Sequence, residues 1–102
     1  MNTAYVGVHG HVLALDKRTG QEVWKTNLSG AFSAGFVSLA TDGELVFAHT
    51  GGKLYCLDAK TGRICWKNDL PGLGYETATI CAAADAADSQ IAFHHEQQAR
   101  SA

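Results

Sequence analysis

The chain has 102 residues, with 8 Lys and Arg against 10 Asp and Glu, 5 His, a formal net charge of −2 and 46% apolar residues, the balance of one small soluble domain. Eight cations scattered among ten acids offer no basic stripe for neutralising phosphates, so nucleic acid is not an expected partner. No apolar run nears the roughly 20 residues that cross a bilayer, and Met1-Asn2-Thr3-Ala4-Tyr5 carries neither a basic nor an apolar leader region, so the expectation is a cytoplasmic chain with no membrane partner.

The apolar runs and the turns between them read as β-strands from the start of the chain. Residues 3–8 and 11–16 flank His9-Gly10 as a hairpin. The turn Asp16-Lys17-Arg18-Thr19-Gly20 follows, in which the carboxylate can accept backbone N–H groups and the glycine supplies a left-handed residue. It leads into a third strand, 21–27, that carries Trp24. Phe32–Leu39, with Ser33, Ala34 and Gly35, is expected as a fourth strand of small side chains ending at Asp42-Gly43. The order then repeats: 44–49 and 53–58 flank Thr50-Gly51-Gly52, Asp58-Ala59-Lys60-Thr61-Gly62 makes the next turn, and 63–69 carries Trp66. Thr77–Ala83, with Ala78, Thr79 and Ala82, stands where another small-residue strand would come. Residues 85–102 leave the pattern; Ser89 suits a helix cap and Gln90 to Arg100 are good helix formers, so this tail is expected to be partly helical or disordered.

The repetition is internal duplication with a period of 42 residues. Shifting the sequence by that amount superposes Gly10 on Gly52, Leu15 on Leu57, Asp16 on Asp58, Thr19 on Thr61 and Gly20 on Gly62. It also superposes Trp24 on Trp66, Lys25 on Lys67, Leu28 on Leu70 and Gly30 on Gly72, without a gap. A period near 40 built from short β segments is the signature of propeller blades. Residues 1–84 are therefore expected to hold two four-stranded blades. Strands such as Val12-Leu13-Ala14-Leu15 are apolar on both sides and need cover on both, which neighbouring blades supply.

The run Ala14-x-Asp16-x-x-Thr19-Gly20-x-x-x-Trp24 and its copy Cys56-x-Asp58-x-x-Thr61-Gly62-x-x-x-Trp66 resemble the tryptophan-docking motif of pyrroloquinoline-quinone-type (quinoprotein-like) β-propeller repeats. The resemblance implies an all-β fold in which Trp24 and Trp66 each pack on the small residue and glycine turn of the next blade, as structural staples. It also implies eight blades, where this chain has material for two. Counted along the sequence, three outer strands, one full blade and one spare inner strand make two blade equivalents, so copies set head to tail can close a ring. The expectation is a homotetramer, the chain being its own partner, with another protein as a further possible partner. A fragment of a longer quinoprotein dehydrogenase is the alternative.

Quinoprotein dehydrogenases use adjacent cysteines over the cofactor, a calcium site of Glu, Asn and Asp, and a catalytic Asp. This chain has no Cys-Cys pair, and Asp16, Asp42, Asp58 and Asp85 sit at or beside turns. Glu76 alone lies beside a candidate inner strand. No cofactor and no catalytic residue are expected, and the reading leans away from an enzyme. Cys56, Cys65 and Cys81 are too few and odd for a disulfide scaffold, and Cys56 and Cys65 are expected as buried thiols opposite each other. His9, His11, His49, Tyr75 and Glu76 are the candidate residues of a loop face that could bind a small ligand or a metal, imidazoles two apart on a strand pointing the same way. The alternative for them is polar loop residues beside glycines.

Overall fold

A computed structural model of the chain describes residues 2–28, 35–74 and 76–83. They form seven strands in two antiparallel sheets: β1 (Thr3–Val8), β2 (His11–Asp16) and β3 (Glu22–Asn27) in the first, β4 (Ser38–Thr41), β5 (Leu45–Thr50), β6 (Lys53–Asp58) and β7 (Ile64–Asn68) in the second. Within each sheet every strand pairs with the next in sequence, so both sheets are simple meanders. This is an all-β arrangement of one three-stranded and one four-stranded blade.

The duplication in sequence is a duplication in register. Thr3 lies opposite Asp16 and Leu45 opposite Asp58; Ala14 faces Trp24 and Cys56 faces Trp66. Each outer pair also slips by a residue at the same place, between Ala14 and Leu15 and between Cys56 and Leu57. The slip turns the chain into the Asp-to-Gly turn and aims the Trp.

The core lies between the sheets. Val12, Ala14 and Trp24 of the first pack on Val46, Ala48, Tyr55 and Leu57 of the second, with Tyr5 and Leu39 at the margin. Side chains alternate across a sheet, so Val6 and Val8 point to the side of the first sheet opposite Tyr5, where Val8 is 51% exposed.

Two of the expected strands differ. The strand β4 is Ser38–Thr41; of the expected Phe32–Leu39, residues 35–37 are not strand and Phe32 lies outside the described residues. Gly35–Val37 is instead committed to the crossing between sheets: Gly10 donates its N–H to the Gly35 carbonyl (3.1 Å), the Thr50 hydroxyl donates to the Phe36 carbonyl (2.9 Å), and Val37 is buried against Gly7. That approach requires glycine, because a Cβ at position 7 would stand 2.8 Å from Val37 Cβ. Ser33 and Ala34 lie outside the described residues. Thr77–Ala83 is not a strand. No described strand offers it a ladder, and it touches the second sheet through the Ser38 hydroxyl, which donates to the Ala78 carbonyl at 2.9 Å. The expected tail, 85–102, lies outside the described residues.

Candidate functional site

The two sheets are joined at one point by polar as well as apolar contact. The indole N–H of Trp24, on β3, donates to the carbonyl of Ala59 in the second sheet's turn at 2.9 Å, and the Thr26 hydroxyl donates to the Gly62 carbonyl at 2.6 Å. The indole face covers Gly62, whose φ of +81° is in the left-handed region. A Cβ there would overlap Trp24 at Cδ2 and Cε3 and come within 2.8 Å of the Thr26 hydroxyl. Tyr5 steadies the ring from behind, with centroids 6.0 Å apart.

The turn that receives Trp24 is built from its own sequence. The Asp58 carboxylate accepts the N–H groups of Lys60 (2.8 Å) and Thr61 (3.3 Å), Gly62 donates to the Asp58 carbonyl (2.8 Å), and the Thr61 hydroxyl accepts from Arg63 (3.2 Å). The Asp16 turn is the same object: Arg18 and Thr19 to the Asp16 carboxylate at 2.8 and 3.3 Å, Gly20 to the Asp16 carbonyl at 2.7 Å, Gln21 to the Thr19 hydroxyl at 3.1 Å. Gly20 has φ +77°, yet a Cβ placed on it meets nothing within 4 Å. Its turn is open.

Trp66 departs from the expected staple in the same way. It is 45% exposed where Trp24 is 9% exposed, because no turn of a further blade covers it among the described residues. Its ring leans on Phe47, 6.2 Å between centroids.

Among the described residues, no three of the loop-face candidates His9, His11, His49 and Glu76 are gathered. His9, at φ +52°, and His11 face the same way, their rings near parallel and 6.5 Å apart, with a 2.8 Å hydrogen bond between His11 Nδ1 and the His9 carbonyl. His49 is a correction: it lies within β5 and is 5% exposed, since the strand runs on to Thr50 before turning. Glu76 is exposed, and Tyr75 lies outside the described residues. Cys56 is buried, and its thiol is held above the ordinary value of 9.0, first by burial and then by the neighbouring Cys65 thiol. Cys65 is a second correction. It is exposed, while its thiol remains beside that of Cys56.

A quinone acting with calcium needs a carboxylate-rich metal site and a base within reach. Among the described residues no group of three or more His, Cys, Asp or Glu is gathered. Asp16 and Asp58 already accept from their turns, and Asp42 accepts the Glu44 and Leu45 N–H groups, which hold its carboxyl below the usual value. The described residues do not fit that cofactor.

A family model described as outer membrane protein assembly factor BamB, of the pyrroloquinoline-quinone repeat type, matches residues 8–98. The chain belongs to this family. Among solved structures it is similar to the crystal structure of BamB from Moraxella catarrhalis, at 26% identity and a TM-score of 0.54. The match covers 65% of this chain and 20% of that one, so the chain spans a fifth of that relative's length. No curated protein matches significantly. The β-propeller class and its repeat are thereby established for this chain, and the glycine-turn joint is what the repeat contributes structurally.

Proposed function

We propose that the chain is a non-enzymatic propeller module that self-associates and serves as a scaffold or protein-binding surface. The observation that carries this reading is the outward side of the first sheet, where Val6 and Val8 stand exposed on a sheet whose other side is core. An apolar sheet face of this kind is normally covered, and in a propeller the cover is another blade. A second copy of the chain can supply that cover, and four copies would make eight blades. The family's description as an assembly factor for outer membrane proteins supports a protein, and not a small substrate, as the further partner. Sedimentation velocity on the unmodified chain tests the reading. A species of several chains is expected in the micromolar range, and a folded single chain throughout that range contradicts self-association.

A further inference from the structure

The joint between the sheets has two halves, an indole and a glycine turn, and the duplication gives the chain two of each. Trp24 and the Asp58–Gly62 turn are engaged with each other. Trp66 and the Asp16–Gly20 turn are both free of such a partner among the described residues. Cross-strand partners share a face, so Trp66, Cys56 and Phe47 lie on the side of the second sheet turned away from the core residues Val46, Ala48 and Leu57.

We propose that the two free halves meet between copies: Trp66 of one chain docks on the Asp16–Gly20 turn of a second chain and donates its indole N–H to the Lys17 carbonyl. The inference rests on the self-association reading and adds the residues that form the contact. Three features support it. The receiving turn already has the shape of the one that holds Trp24, since its four hydrogen bonds agree with those of the Asp58 turn within 0.1 Å and its glycine φ within 4°. Lys17 also matches Ala59 in its backbone, donating to the Asn2 carbonyl at 2.9 Å as Ala59 donates to that of Glu44 at 3.1 Å, which leaves the carbonyl oxygen for the indole. The indole is pre-set as well. Phe47 holds Trp66 at 6.2 Å and 45°, as Tyr5 holds Trp24 at 6.0 Å and 39°. Asn68 occupies the place of Thr26; its Oδ1 accepts from Leu70, so its amide NH2 is the donor toward the Gly20 carbonyl. Finally, the faces brought together are apolar on both sides, Phe47 and Leu54 against Val6 and Val8.

Such a contact is heterologous, using different patches on the two copies, and repeats head to tail until it closes. That property gives the test. Trp66→Ala removes one half and Gly20→Asn blocks the other; asparagine tolerates the left-handed backbone, and its Cβ meets nothing in its own chain. Each variant alone is expected to sediment as a single folded chain. Mixed in equal amounts they are expected to form a two-chain complex and nothing larger, the intact Trp66 of one seated on the intact Gly20 turn of the other. If the unmodified chain is itself single, the self-association reading fails and this contact with it. If the unmodified chain assembles but either folded variant assembles equally well, or the mixture stays single, the contact assigned to Trp66 and Gly20 is wrong while self-association stands. Should Trp66→Ala fail to fold by circular dichroism, Gly20→Asn against the unmodified chain decides alone, with loss of the multi-chain species expected and its persistence contradicting the contact.

Discussion

Trp24 and Gly62, 38 positions apart in the chain, are in van der Waals contact, so the absence of a side chain at one is a condition for the position of the other. Gly62→Ala brings two costs, a left-handed backbone that disfavours any Cβ, about 1–2 kcal/mol, and overpacking against the indole, about 1–3 kcal/mol. Gly43, at φ +98° with nothing within 4 Å of its Cβ position, shares only the first. Urea midpoints are expected to fall clearly further for Gly62→Ala than for Gly43→Ala. Equal midpoints would mean that Trp24 does not rest on the turn.

The two tryptophans are expected to differ when each is truncated. Trp24→Ala opens a cavity between the sheets and leaves the Ala59 carbonyl without its donor, a loss of about 3–5 kcal/mol. Trp66→Ala removes a ring that is 45% exposed in the single chain, and measured in dilute solution it is expected to cost less than half as much. Thermal melts of the two variants at low concentration check the order, and a reversed order contradicts the assignment of Trp24 as the joint.

This asymmetry marks what the sequence conveys and what it does not. The strands β1, β2, β5 and β6 are bounded by Gly and Asp turns and are plain as runs of apolar residues. The two turns are plain in the repeated Asp-x-x-Thr-Gly. Identical motifs, however, cannot tell which copy has a neighbour, so Trp24 and Trp66 read alike although one is buried and the other is not. Gly35–Val37 reads as strand because it is small and apolar, yet its carbonyls go to Gly10 and Thr50 across the gap between sheets, a demand set by tertiary structure. His49, the last residue of the predicted strand 44–49, reads as opening the loop face, yet the strand runs on to Thr50 and His49 is buried. Cys65 reads as core by analogy with Val23, which is itself exposed.

The cysteines give a pH prediction. Folding keeps the buried Cys56 thiol above its ordinary value of 9.0, so the folded chain resists an ionisation that the unfolded chain undergoes freely. That contribution is complete below pH 9.0 and is lost as the pH rises past it, so urea midpoints are expected to decline there, and less so in Cys56→Ala. In a thiol-reagent assay at pH 8, Cys65 and Cys81, both exposed, are expected to react at once and Cys56 only on unfolding. Prompt reaction of all three would contradict the burial of Cys56.

Quinone-dependent oxidation is a separate expectation. With the carboxylates of Asp16, Asp42 and Asp58 bound into turns and Glu76 exposed, incubation with pyrroloquinoline quinone and calcium is expected to yield no dye-linked oxidation of alcohols or aldoses. Turnover present in the unmodified chain and lost in Glu76→Gln would contradict the non-enzymatic reading.

The repeated joint is tested most directly at Trp66 itself. With fluorinated tryptophan incorporated, the two indoles give two fluorine resonances, assigned by single Trp→Phe variants. As the concentration rises through the range where the sedimenting mass grows, the Trp66 resonance is expected to move and to lose its solvent isotope shift, reaching the protected behaviour of Trp24, while Trp24 stays in place. A Trp66 resonance that remains solvent-exposed at every concentration contradicts the account.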